Sequence, residues 1–221
     1  MSRILALISV VCALMLTGCA KTTPRDYTAF MQSKPRSILV LPPVNHSPDV
    51  NASHSLLSHV TRPLAEDGYY VLPVAVVEET FKQNGLTTAQ DIRAVSVAKL
   101  HQIFGADAVL YIDVTDYGTK YRVILSETRV TAKARLVDLR TGQLLWTGGA
   151  TASNNEQDNN NNSGLIGMLV TAALTQVANN LMDKGHDIAG ITSTRLLSAD
   201  VAGGVLYGPY SPDYGKNNLK I

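Results

Sequence analysis

The front of the chain restricts it most: Ile4 to Leu16 is apolar without a single charge, Arg3 precedes it, and Thr17-Gly18-Cys19 follows. An apolar run of that length is too short for the roughly 20 residues a membrane-crossing helix needs. A positive start, an apolar middle and small residues before the break are the three parts of a secretory signal peptide. Its removal carries off Cys12 and leaves Cys19 as the one cysteine, because the sequence holds 2 in all. What remains, roughly 200 residues, is long enough for one domain with a proper core. That domain has to be held by packing alone, in a compartment that would have permitted disulfides.

Leu16-Thr17-Gly18-Cys19 resembles the bacterial lipobox, in which the chain is cut between the glycine and the cysteine and the cysteine sulfur receives a diacylglycerol. On that resemblance residues 1–18 are the signal, the cut falls between Gly18 and Cys19, and Cys19 carries the lipid, so no thiolate nucleophile or cysteine metal site survives. Each buried methylene contributes about 0.8 kcal/mol, so two or three acyl chains hold a protein at a membrane almost permanently. Gram-negative lipoproteins retained in the inner membrane usually carry Asp directly after the cysteine. Ala20 therefore implies an anchor in the outer membrane with the domain facing the periplasm. Residues 19–36 read as a lipidated tether, polar through Thr22, Thr23, Pro24, Ser33 and Pro35. Its apolar residues Tyr27, Phe30 and Met31 are placed to lie against either the domain or the lipid surface.

A net charge of +1 gives no strongly basic face for nucleic acid, and 45% hydrophobic residues is ordinary for a globular protein. Ser37-Ile38-Leu39-Val40-Leu41, stopped by Pro42-Pro43, suits a strand buried on both faces. Val44 to Ala52 reads as loop. Leu56, Leu57, Val60 and Leu64 have helical spacing, with Ser53 or Ser55 as cap and Pro63 expected to interrupt or kink the helix. Tyr69 to Val74 is strand-like and Val76 to Gln83 helical. Thr88 caps a short turn to Arg93, and Ser96 caps a helix from Val97 to Phe104. This alternation predicts a β-α-β start with a crossover connection.

From Ala108 the pattern turns to strands: Ala108–Val114, then Tyr121–Leu139, with a bend or bulge expected near Glu127. Asp138 to Gln143 is a hairpin turn in which Gly142 takes the left-handed conformation. Leu144–Thr147 returns, with Gly148-Gly149 reading as the strand's end. Residues 154–163, mostly asparagine, read as a flexible loop. Gly164 to Asp183 predicts a long helix with a broad apolar band, which suits the core, a subunit interface or a partner surface. It lacks the lysines of a membrane-surface helix. A further short helix or strand is expected from Ser193 to Val201. The expected fold is α/β (α+β): a mixed sheet of about five strands flanked by helices, with a β-α-β start, an antiparallel meander and a C-terminal helix. Residues 37–202 form the single domain, and 203–221 a tyrosine- and proline-rich tail.

Chemical motifs are sparse. Asp158, Asn160 and Asn162 alternate as in a calcium loop, but Ser163 and Leu169 stand where glycine and a bidentate Glu are needed. His54 and His59 fall on different helix faces, His46 is in a loop, and His101 faces the apolar side of its helix, so each reads as structural. No phosphate-binding glycine loop and no Gly-x-Ser-x-Gly elbow occurs. The acids Glu78, Glu79, Asp107, Asp113 and Asp116 have no spacing that pairs two of them. No cofactor, no metal and no catalytic residue is expected. The tail is the candidate partner surface, through Tyr207, Pro209, Tyr210 and Tyr214, since tyrosine brings large contact area and proline presets extended backbone. Packing of the tail onto its own domain is the alternative.

The lipobox, Ile38-Leu39-Val40-Leu41-Pro42-Pro43, Asp138-Leu139-Arg140-Thr141-Gly142 with Trp146, and Tyr207-Gly208-Pro209-Tyr210 together resemble a family of Gram-negative lipoproteins of unknown function, of the meningococcal surface-antigen type. The resemblance covers most of the processed chain. More distantly, the strand-Pro-Pro start and the Thr141-Gly142 hairpin with Trp146 are similar to the α/β domains of the curli secretion-channel lipoprotein and of the Tol-system amino-terminal domain. These resemblances imply a protein-binding accessory or scaffold in an envelope assembly or secretion system, beside a channel-forming lipoprotein or as a homo-oligomer. They carry no active site over. No long amphipathic hairpin of a pore former is expected here. An envelope hydrolase or a small-ligand or lipid carrier are the competing readings; the first requires converging acids in a deep pocket, the second a large apolar cavity.

Overall fold

The computed structural model describes residues 25–121, 126–156 and 184–216. The signal peptide, Cys19, most of the asparagine run and the helix expected over 164–183 lie outside the described residues.

A short helix α1 (Thr28–Ser33) leads into β1 (Ser37–Val40), and a two-residue strand β2 (Val44–Asn45) follows inside the stretch expected to be loop. Helix α2 (Ala52–Glu66), β3 (Tyr70–Val71), and three helices α3 (Val74–Gln83), α4 (Ala89–Arg93) and α5 (Val97–Phe104) come next. Three long strands, β4 (Ala108–Tyr121), β5 (Ser126–Asp138) and β6 (Leu144–Ser153), and helix α6 (Lys184–Leu197) complete the order. The strands form one mixed sheet in the order β3-β1-β4-β5-β6, with β2 added on β4. β1 runs parallel to β3 and β4, while β4-β5-β6 is an antiparallel meander. This is the expected architecture, and the Thr88 and Ser96 caps form as expected, accepting from the N–H of Asp91 and Lys99.

Strand alternation sends the core two ways. Ile38, Val40, Leu110, Ile112, Val114, Ala132 and Leu136 face α2 and α6, with Leu56, Val60, Leu64, Ile188 and Leu197 against them. Leu39, Leu41, Val109 and Tyr111 face α3–α5 through Val77, Phe81, Ile92 and Leu100. That second cover reaches only part of the sheet, so Lys133, Arg135, Thr147 and Thr151 stay exposed on the outer face of β5 and β6.

Four local expectations are corrected. Helix α2 continues unbroken through Pro63. Proline removes the N–H that would bond the His59 carbonyl one turn earlier, and the Ser193 hydroxyl of α6 donates to that carbonyl instead at 3.1 Å. Gly148 and Gly149 sit inside β6 and not at its end. The Trp146 ring covers Gly148 so closely that a Cβ there would lie 2.2 Å from it. The register shifts fall at Val114/Asp116 of β4 and at Leu136/Val137 of β5, while Glu127 is in regular register with Lys120. Finally, the strand expected to end at Val114 continues to Tyr121, where the sequence suggested a turn at Asp116-Tyr117-Gly118, and pairs with β5 along its length. The far end of the pair bears Asp116, Lys120, Glu127 and Arg129, with ion pairs along each strand.

Candidate functional site: a cationic cleft between the tail and the first helix

The site is built where three chain segments meet at one end of the sheet. The first is the stretch read as tether. Tyr27 and Phe30 are buried in the main core, so α1 lies on the domain, and Met31 points outward. After α1 the chain turns at Lys34, whose backbone is left-handed (φ 48°), a conformation that costs a residue with a Cβ about 1–2 kcal/mol. It then enters β1 through Arg36.

The second segment is the β5–β6 turn. Buried Asp138 accepts the N–H groups of Arg140 and Thr141 at 2.7 and 2.9 Å, the Ser33 hydroxyl at 2.6 Å, and the Arg140 guanidinium at 2.7 Å. Burial alone would raise this carboxyl. The Arg140 charge, Ser33 and the two N–H groups outweigh it and hold Asp138 well below the usual carboxylate range. Asp107, where β4 begins, accepts the N–H groups of Arg36 and Ser37 at 2.8 and 3.2 Å, and Arg140 stands 3.7 Å away.

The third segment is the tail, which folds back onto the domain. Val205 and Leu206 are buried, and the Tyr69 hydroxyl donates to the Leu206 carbonyl. The Gly208 N–H donates to the Asp67 carbonyl at 2.8 Å and the Tyr210 N–H to the Gly68 carbonyl at 3.1 Å. Backbone meets backbone here: a Cβ on Gly68 (φ 87°) would lie 2.2 Å from the Ser211 nitrogen, and one on Gly208 2.4 Å from the Gly68 oxygen. The Asp67 carboxylate, buried under the tail, accepts the Ala199 N–H at 2.8 Å. Burial, helped by the nearby Asp200 and Glu66 charges, still raises its pKa to about 7.

Between these segments lies an open cleft of about 510 Å³, lined by Ser33, Lys34, Arg36, Asp107, Arg140, Pro209 and Tyr214. Of the four predicted tail residues, Pro209 and Tyr214 line it. Tyr210, two-thirds exposed, stands beside it, while half-buried Tyr207 gives its hydroxyl to Asp200. Gly18 and Cys19, predicted for cleavage and lipidation, lie outside the described residues. Lys34, Arg36 and Arg140 went unnoticed in the sequence because they are far apart in it and no motif links them.

The remaining candidates are dispersed. A smaller cleft of about 250 Å³ opens at the carboxyl end of β1, with Pro43, His54, Glu78 and Ile92 in its wall. His46 pairs with Asp113 at 3.1 Å, and His101 bonds the Ala106 carbonyl at 3.0 Å. His59 stacks against His186, a residue the sequence did not single out, with ring centres 4.3 Å apart. Burial and that neighbour lower the His59 pKa. His186 bonds Ser55 at 3.1 Å, and Ser55 accepts the Tyr117 hydroxyl at 2.8 Å. Among the described residues no group of three or more His, Cys, Asp or Glu is placed to hold a metal ion, and no helix is long and apolar enough to cross a membrane.

Comparison with known proteins locates this architecture. The model of the family described as "Putative lipoprotein GNA1162-like" matches residues 25–210. A Neisseria meningitidis serogroup B protein, "Putative lipoprotein NMB1124/NMB1162", is 53% identical over 205 residues, covering 92% of this chain and 94% of the relative. The crystal structure of lipoprotein GNA1162 from Neisseria meningitidis superposes with a TM-score of 0.54 at 61% identity, over 66% of this chain and all of that one. The C-terminal domain of LpoB from Salmonella enterica has a TM-score of 0.40 at 19% identity, over 63% of this chain and 90% of that one.

Proposed function

The chain belongs to the "Putative lipoprotein GNA1162-like" family, and from that membership we propose that it is anchored in the outer membrane through acylated Cys19 and works in the periplasm by binding protein. In this reading it is an accessory or scaffold of an envelope assembly or secretion system, acting beside a channel-forming lipoprotein or as a homo-oligomer, and not as an enzyme. Ala20 after the lipid-bearing cysteine supports the outer-membrane address. The observation that carries the binding role is the tail: its backbone is fixed on the domain, yet Tyr210 and Tyr214 are left 67% and 44% exposed. Rigid, exposed tyrosines supply contact area with little entropy left to lose on association.

The test has two readouts in intact cells. Mass spectrometry of the N-terminus finds a diacylated Cys19, and the protein fractionates with the outer membrane; an unmodified N-terminus or inner-membrane fractionation refutes the anchor. Photo-crosslinkers placed over the surface yield adducts with envelope proteins or with a second copy, and Cys19→Ala loses them. A chain that forms no protein adduct from any surface position refutes the scaffold role.

A further inference from the structure

We infer that the cleft between the end of α1 and the tail docks an extended, carboxylate-rich segment of a partner protein. This rests on the reading of the chain as a protein-binding lipoprotein and names the surface and the chemistry it selects. The charges around the cleft are unevenly satisfied. Asp107 is occupied by two backbone N–H groups and the Ser37 hydroxyl. Asp138 is occupied by Arg140, Ser33 and the turn backbone. Arg140 is thereby neutralised, whereas Lys34 and Arg36 have no ion-pair partner among the described residues. Hydrogen bonds do not cancel the Asp107 charge, so Lys34, Arg36 and Arg140 against Asp107 and Asp138 leave one positive charge in excess, over acids that are already bonded. A carboxylate entering it gains charge-assisted hydrogen bonds without displacing an existing pair.

The rim adds contact area of the kind protein interfaces use. The Tyr70 N–H donates to the Arg36 carbonyl at 3.0 Å, which sets Tyr70 next to Arg36 along the sheet, and Tyr210 directly follows Pro209 of the cleft wall. Tyr70 is 58% exposed, and Tyr214 lines the cleft itself. Tyrosine and arginine are the residues enriched at interface anchors. A membrane surface fits less well. Attraction to anionic lipid takes clusters of about 4–8 basic residues, whereas this cleft sets three cations, Lys34, Arg36 and Arg140, among carboxylates.

Lys34 permits a test that leaves the fold intact. Its left-handed backbone suits glycine, so Lys34→Gly removes the charge and relieves local strain together. The full chain purified from membranes is titrated with a fluorescent oligoglutamate peptide, an oligoglutamine control and phosphatidylglycerol vesicles. Oligoglutamate binds at low salt, the control does not, and Lys34→Gly with Arg36→Gln weakens binding about ten-fold or more while the melting temperature holds or rises. Equal binding by parent and variant overturns the proposal. So does vesicle binding that the variant loses in the absence of any peptide binding, which would mark a lipid-headgroup site. In cells, a photo-crosslinker at Tyr210 gives protein adducts that the double variant loses. Adducts from a crosslinker at exposed Val50, at the other cleft, with none from Tyr210 overturn this surface but leave the accessory reading standing. No protein adduct from either position overturns this surface, and the accessory reading falls with it only when no other surface position gives an adduct.

Discussion

Asp67 shows how a single buried carboxyl makes the whole fold respond to pH. Its pKa stands near 7 because burial under the tail outweighs the Ala199 N–H, with Asp200 and Glu66 adding repulsion. In the unfolded chain it returns to about 4. A raised folded value means that the native state holds the proton more tightly. The advantage is complete below about pH 4 and is lost as pH rises to about 7, a change of up to roughly 4 kcal/mol. Asp67→Asn keeps an oxygen for the Ala199 N–H but has no proton to lose. Denaturant melts from pH 4.5 to 8 are expected to show the parent losing stability with rising pH relative to Asp67→Asn, which is the more stable at pH 8. Parallel profiles would mean that Asp67 ionises freely in the fold. Nothing in the sequence announced this residue: Asp67 precedes a Gly-Tyr-Tyr turn like many exposed aspartates, and only the tail's return buries it.

At the scale of elements, the sequence was legible at most points where local chemistry decides structure and opaque where a distant element does. Thr88 and Ser96 marked their helix starts correctly because caps act within one turn, whereas Ser53 and Ser55, also read as caps, lie inside α2, which begins at Ala52 after Asn51. Pro63 was misread because its orphaned acceptor is satisfied by Ser193, 130 positions on by the numbering. Ser193→Ala is expected to cost about 1 kcal/mol, since it strands the part-buried His59 carbonyl. In a Pro63→Ala background most of that cost disappears, because alanine restores the helical N–H donor at that position. Additive effects in the double-mutant cycle would show that the hydroxyl does something else. The two adjacent glycines of β6 make a second contrast. A Cβ at Gly148 meets the Trp146 ring at 2.2 Å, whereas at Gly149 its nearest atoms are 3.8 Å away on the open face. Gly148→Val should therefore destabilise by about 3 kcal/mol or more through overpacking, and Gly149→Val should leave the melting temperature nearly unchanged or raise it.

For the whole molecule, the α/β class, the β-α-β start and the antiparallel meander followed from alternation of helical and strand periods, but the two ends of the domain did not. The stretch before β1 and the stretch after α6 have no period, so their polar composition reads as tether and tail. Both nevertheless enter the core through single residues, Tyr27 and Phe30 on one side and Val205 and Leu206 on the other, and the Tyr27 hydroxyl donates to the Gly204 carbonyl at 2.7 Å. Closure of the two ends on each other also creates the cleft, which is why no local motif revealed it. The consequence is a sharp boundary in tolerance to truncation. Val205 and Leu206 bury about 2 kcal/mol each. The Tyr69–Leu206, Gly208–Asp67 and Tyr210–Gly68 bonds add about 1 kcal/mol apiece. That gross sum is comparable to the net stability of a small domain. A chain ending at Ala202 should therefore lose its cooperative thermal transition or melt more than 10 °C lower. A chain ending at Ser211, which keeps all of these contacts and loses Tyr214, should melt within a few degrees of the parent. Equal melting temperatures for the two truncations would mean that the tail rests on the domain without holding it, and the cleft would then lack the fixed wall its selectivity requires.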